Sequence, residues 1–268
     1  MRLSLSAIST VNASFAEDVE AYAAAGFDAI GLWEFKLPED DAANVEVLRS
    51  HGLAVSNCIP IVPSFLPLAI PGMEGPSEPR ERVGAICASI RRLASYEPGC
   101  VLCLSGPLGG RSEDEGRGVV IDGLRQAAAT ARTAGVRLGF EPVHPGQRET
   151  AGFVTSLADA LALLDEAELD DVGIMADTYN LAHEATADVV EAAPRFTGLH
   201  VADELPEPVP GVRIVPEPSG RSAELIEALR ASGWDGALDV EVFSTPDAFW
   251  ALPPAEAARL AHARASSL

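Results

Sequence analysis

A chain of 268 residues, 47% of them hydrophobic, is long enough for one large α/β barrel or two ordinary domains and can bury a sizeable core. Its formal charge of −21 repels phosphate backbones and anionic bilayers, so nucleic-acid and membrane partners are disfavoured unless a cation reverses the sign locally. No apolar run approaches the roughly 18 residues of a membrane helix. The opening residues 1–8 alternate polar and apolar like a strand rather than a secretory leader, which predicts a cytoplasmic protein.

Strand one is expected over residues 2–8. Ser14 and Glu17 then form a capping box that starts the first helix. Strands two and three follow at 29–33 and 54–58, separated by a helix over 40–50. A Pro-rich loop, 60–79, leads to a helix over 80–95 and strand four at 100–104. Ser112 and Glu115 form a second capping box for a helix that ends by Ala134. Strand five is expected at 137–141, a helix at 157–166, strand six at 172–177, a helix at 184–192 and strand seven at 197–201. After another Pro-rich loop come a helix at 223–231 and strand eight at 237–242. Thr245-Pro246-Asp247 reads as the cap of the last helix.

Four of these helices hand over in the same way: Gly26-Phe27, Gly52-Leu53, Gly135-Val136 and Gly233-Trp234 each pair a helix-ending glycine with an apolar residue. The alternation of strand and helix eight times over predicts a single (β/α)8 TIM barrel spanning 1–268. An open doubly wound sheet is the alternative. No G-x-G-x-x-G run follows a strand, so a dinucleotide site is not expected. Cys100 and Cys103 have C-x-x-C spacing but lie in a strand-like run, where residues three apart face opposite sides. With Cys58 and Cys87 they read as free thiols in or near a core, not as a zinc or redox pair.

The chemistry is concentrated at strand ends. Leu138-Gly139-Phe140-Glu141 is stopped by Pro142, which lacks the N–H needed to extend a ladder. Strand six ends in Asp177, strand seven in His200 and strand eight in Glu241. In a barrel the C-terminal strand ends converge on one mouth. Three carboxylates brought together there repel unless a cation sits between them. Three oxygen donors and one imidazole suit a divalent metal: Mn²⁺ first, with Mg²⁺, Co²⁺ and Zn²⁺ as alternatives.

The pieces Phe-Glu141-Pro-Val-His144-Pro, Ala-Asp177-Thr-Tyr-Asn180, Leu-His200-Val-Ala-Asp203 and Val-Glu241-Val-Phe-Ser244 resemble the xylose isomerase-like TIM barrels. That group includes sugar isomerases, epimerases and inosose dehydratase-like enzymes. The resemblance implies a metal held by Glu141, Asp177, His200 and Glu241. It also implies that the two glutamates act as acid and base on either face of a metal-bound enediolate. Where such epimerases usually carry a substrate-contacting His, this chain has Asn180. The arginine often found soon after the strand-seven His is missing, and Arg213 is the nearest candidate.

His144, Asn180, Arg213 and Trp33 are therefore the candidate substrate contacts, and Asp203 is expected to orient His200. Lys36, the only lysine, reads as a solvated rim residue. His183 and His262 read as helical surface residues. The segment 59–76 reads as a lid or an oligomer contact. The function expected is a metal-dependent isomerase or epimerase acting on a small carbohydrate, cyclitol or keto-sugar, with homo-oligomerisation open. A lyase or dehydratase on a keto-sugar or inosose-like compound is the alternative. An endonuclease of this fold wants a basic groove that the charge opposes, and a non-catalytic sugar-binding barrel has no need of both glutamates.

Overall fold

The computed structural model describes residues 1–268. Eight parallel strands close into a barrel: β1 (Leu3–Ser6), β2 (Ala29–Trp33), β3 (Ala54–Ile59), β4 (Val101–Leu104), β5 (Leu138–Glu141), β6 (Gly173–Asp177), β7 (Phe196–Val201) and β10 (Leu238–Val240). β10 pairs with both β7 and β1, which closes the ring and settles the choice against an open sheet. A short antiparallel hairpin, β8 (Asp203–Glu204) and β9 (Arg213–Ile214), projects from the end of β7.

Eight helices surround the barrel: α1 (Phe15–Ala25), α2 (Asp41–Ser50), α3 (Pro79–Leu93), α4 (Glu113–Ala134), α5 (Leu157–Glu166), α6 (Thr186–Ala192), α7 (Arg221–Ala231) and α8 (Pro254–Ala265). Both capping boxes form, with Ser14 and Ser112 accepting from the backbone N–H of Glu17 and Glu115. The four handover glycines all take positive φ. Gly26 and Gly135 are left-handed caps whose N–H groups return to carbonyls of the last helical turn.

The last helix begins later than its expected cap. Residues 246–248 form a turn, and α8 starts at Pro254 behind Pro253. The Pro253-Pro254 pair explains this. A residue before proline avoids helical ψ, so a helix begun at 246 could not run through Leu252 and Pro253.

Strand alternation sorts the side chains into two layers. Phe140, Ile174, Ala176, Leu199 and Val240 point outward into the core that the helices cover. Cys100, Leu102, Met175, Ile59 and Trp33 fill the barrel interior. Cys100 packs on Met175 inside the barrel, whereas Cys103 belongs to the outer layer, so the two thiols do face opposite sides. All four cysteines are free. Small residues set the interior packing: a Cβ on Gly198 would meet the Met175 sulfur at 2.6 Å, and one on Gly31 would lie 2.2 Å from Asp239 Oδ2.

Candidate metal centre

The alternation that sends Phe140, Ala176, Leu199 and Val240 outward sends their neighbours inward at the C-terminal mouth. Glu141 and Asp177 end β5 and β6, His200 lies near the end of β7, and Glu241 immediately follows β10. All four are at least 94% buried. Asp177 and His200 are direct register partners on adjacent strands. One ligand atom each from Glu141, Asp177 and His200 fall within 4.8 Å of one another. Glu241 adjoins this triad: its Oε2 is 3.3 Å from His200 Nδ1, and Glu141 Oε1 is 3.5 Å from the same nitrogen.

The charges inside this cluster are unbalanced. Burial pushes the Glu141 carboxyl up to about 7, against the pull of His200. Burial opposes a charged imidazole at His200, yet Glu241, Glu141 and Asp239 lift it to about 10. Arg213 reaches in from β9. Its Nη1 bonds Asp177 Oδ2 and lies 3.3 Å from Glu241 Oε2, with the guanidinium over the rings of Phe243 and Tyr179. Arg213 and His200 thus bring positive charge to a site richer in carboxylates. His200 Nδ1 is buried, faces two carboxylates and has no hydrogen-bond partner. An orphaned nitrogen among carboxylate oxygens fits a divalent cation, with Glu141, Asp177, His200 and Glu241 as the residues that would hold it.

Several sequence expectations are corrected here. Asp203 does not orient His200. Its carboxylate accepts from the N–H groups of Glu217 and Ser222 and from the Ser222 hydroxyl, tying β8 to the start of α7. The groups at His200 Nε2 are Asn57 Oδ1 at 3.4 Å and Asp239 Oδ2 at 3.5 Å, with Asn57 donating to Asp239 at 2.7 Å. Asp239 is two residues before Glu241, so the same alternation that finds the glutamate also finds it. His144 does not line the mouth cavity. Its Nδ1 accepts from Gly146 N–H, and its ring packs against Tyr179 beside Glu204. Lys36 is not a rim residue; its side chain is buried against Asp18. His262 packs edge-on against Phe27.

Asn180 and Trp33 do line the cavity. The Asn180 amide donates to Glu141 Oε1 at 3.1 Å and accepts from His144 N–H, so it braces the glutamate. The Trp33 indole donates to Ser6 Oγ, which lies 3.3 Å from Glu241 Oε1. Arg213 arrives through the hairpin, where it pairs with Glu204. The 60–79 segment forms a wall of the cavity and is pinned by a residue the sequence did not single out. The wholly buried Arg82 donates to the carbonyls of Ser64, Glu74 and Pro76.

The fold and this mouth define a class. A family model for the xylose isomerase-like TIM barrel matches residues 19–265, and the chain belongs to that family. No curated protein matches it. Among solved structures it is similar to protein SMc04130 from Sinorhizobium meliloti 1021 (22% identity, TM-score 0.84, covering 98% of this chain and 97% of that one). It is also similar to an IOLI protein with a bound zinc atom (18%, TM-score 0.79, 99% and 96%). A third is 3-keto-D-glucoside 4-epimerase, YcjR, from E. coli (18%, TM-score 0.75, 100% of both chains). At these identities the likeness is one of fold. The family and the metal-ligand triad support an enzyme of this superfamily, and no helix is long and apolar enough to cross a membrane.

Proposed function

We propose that the chain is a divalent-metal-dependent isomerase or epimerase of a carbohydrate or keto-sugar, with Glu141 and Glu241 as the proton carriers. The observation that carries this reading is the pair of buried glutamates that lie 3.5 and 3.3 Å from one orphaned imidazole nitrogen, at the mouth of the barrel. A divalent ion held there, Mn²⁺ by preference, would polarise a carbonyl and its neighbouring hydroxyl and so acidify the carbon-bound proton between them.

The chain's own residues then do the proton work. Asn180 fixes Glu141 and Ser6 fixes Glu241, so each carboxylate keeps one oriented oxygen pair at the cavity. One glutamate accepts the proton from the carbon and the other returns one to it, which inverts a centre or moves the carbonyl. A Glu141 carboxyl lifted toward neutrality by burial suits that exchange. The zinc in a protein of like fold and the epimerase activity named for another agree with this reading.

The test is proton exchange. Mn²⁺-loaded protein in D₂O, incubated with hydroxyketones and keto-sugars, is expected to wash deuterium into the carbon next to the carbonyl, read by NMR. Glu141→Gln and Glu241→Gln should each slow this by roughly 10²–10⁴-fold while the fold is kept. Unchanged exchange in either variant, or a product lighter by one water, rejects the isomerase reading.

A further inference from the structure

The mouth cavity encloses about 340 Å³ and is divided by sequence in a way that bears on the substrate. Every cavity-lining residue that precedes Glu141 in the chain has an apolar side chain, and every polar one comes from Glu141 onward. The barrel order makes this a spatial division. β5, β6, β7 and β10 are contiguous and carry the ligand set, whereas β2, β3 and β4 form the facing arc. That arc presents Trp33, Ile59, Leu102 and Leu104, and the 60–79 segment adds Leu68 and Met73 above them. Leu104 is the register partner of Glu141, so the apolar wall begins one strand away from a proposed proton carrier.

Several polar groups on this side of the cavity are engaged within the protein. The side-chain N–H of Trp33 is given to Ser6. Leu104 N–H donates to the Pro63 carbonyl, and its own carbonyl accepts from Phe65 N–H. Ile61 N–H is held by Glu34. Arg82 pins the wall segment in place through three of its carbonyls. The side chains of Ile59, Leu68, Met73, Leu102 and Leu104 offer a polyhydroxylated chain no hydrogen-bond partner, and Trp250 Nε1 is one unpartnered donor packed against them, so most hydroxyls laid across this arc would be desolvated at a loss. An aromatic or alkyl group there would instead be buried against a matching surface.

We infer that the substrate is a hydroxycarbonyl compound whose head faces Glu141, Asp177, His200 and Glu241 and whose other side carries an apolar, preferably aromatic, group seated on the Trp33–Ile59–Leu104 wall. This rests on the metal-centred reading of the head and adds the chemistry of the tail. A keto-sugar that carries such a group fits both halves of the cavity, whereas a free sugar matches the ligand half alone.

Three probes separate the two halves: 2-hydroxyacetophenone, dihydroxyacetone and D-fructose share the hydroxyketone head and differ in what it carries. Their binding to Mn²⁺-loaded protein is measured by calorimetry, with tryptophan fluorescence as a second readout because Trp33 and Trp250 line the cavity. The aryl ketone is expected to bind at least about ten-fold tighter than either other probe, roughly 1.4 kcal/mol. Leu104→Asn or Met73→Gln should each erase most of that ratio while Mn²⁺ affinity and circular dichroism stay unchanged. Equal or tighter binding of D-fructose, or an aryl preference that survives in both variants, overturns the inference and leaves the proton-exchange reading standing. Binding of all three probes that ignores Mn²⁺ overturns the metal-centred reading, which the ratio does not test.

Discussion

Two buried cations, Lys36 and Arg213, lie against carboxylates in this protein, and they differ in charge balance. Lys36 donates to the carbonyls of Ala7 and Thr10 at 2.9 and 2.8 Å and pairs with Asp18 Oδ2 at 2.5 Å, an oxygen with no hydrogen-bond partner. Thr10 donates a hydrogen bond to the other Asp18 oxygen. Arg213 bonds Asp177 and pairs with Glu241 while its Nε has no partner, and His200 Nδ1, facing the same glutamate, has none either. The first arrangement sets one cation against one carboxylate and holds the turn after β2 against α1. The second sets Arg213 and His200 among Glu141, Asp177, Glu241 and Asp239, and an excess of carboxylates over cationic side chains suits the binding of a further cation.

Removing each cation is the largest test of that contrast. Lys36→Met leaves Asp18 buried with no counter-charge and should destabilise by about 3–5 kcal/mol in urea unfolding, with or without Mn²⁺. Arg213→Met strands Asp177 and Glu241 in the same way, but its deficit relative to the unsubstituted protein should shrink when Mn²⁺ is present, because the bound cation supplies at those two carboxylates the charge the arginine supplied. A Lys36→Met deficit that shrinks with Mn²⁺, or an Arg213→Met deficit that does not, would erase the distinction between the two arrangements.

The fold was legible in the sequence because strand–helix alternation, two capping boxes and four glycine handovers are all local signals. Glu141, Asp177, His200 and Glu241 were legible for a related reason: each stands within one residue of the end of a strand, where period-two alternation decides which way it points. What stayed hidden depends on distant partners. Nothing near Lys36 in sequence announces Asp18, and nothing near Arg82 announces the carbonyls of a loop that folds back over it. Asp203 and Asp239 show the limit in a single pair. The first follows His200 by three residues and serves α7 instead. The second is 39 residues away, and only the β7–β10 register sets it beside the imidazole. The apolar wall was invisible because its residues look like ordinary core until the barrel closes and leaves a cavity against them.

The next effect in size is at Asp239. The carboxylate behind a metal-binding imidazole fixes its tautomer and strengthens its donor nitrogen. Asp239→Asn should therefore weaken Mn²⁺ binding by roughly 10–100-fold by calorimetry, with little change in urea stability of the metal-free protein. An unaltered affinity would leave Asp239 as a packing partner of Asn57 alone. At Asn180 the expected loss is smaller. Asn180→Ala removes the donor to Glu141 Oε1 and should cost about 1–2 kcal/mol of transition-state stabilisation. A fall in kcat supports a brace on the glutamate, and a rise in KM alone supports direct contact with substrate.

The last expected effect is a pH dependence in the Lys36–Asp18 pair. Burial raises the Asp18 carboxyl to about 6 despite the attraction of Lys36, and burial likewise lowers the Lys36 ammonium. Both shifts point the same way: removal from water outweighs the mutual attraction of the pair. The sign for Asp18 follows directly. Its folded-state value lies above the unfolded one, so the folded protein holds that proton more tightly, and this contribution to stability is greatest at low pH. It fades as pH rises from about 4 through about 6. Urea midpoints at half-unit steps across that window resolve it against a matched Asp18→Leu/Lys36→Met variant. In that variant two apolar side chains of similar volume replace the pair, so the component of the slope due to Asp18 should vanish while overall stability is kept or raised. An unchanged slope would assign the dependence to the carboxylates at the barrel mouth. Loss of stability in the double variant would show that the Lys36–Asp18 pair gains more from its hydrogen bonds than it loses to burial.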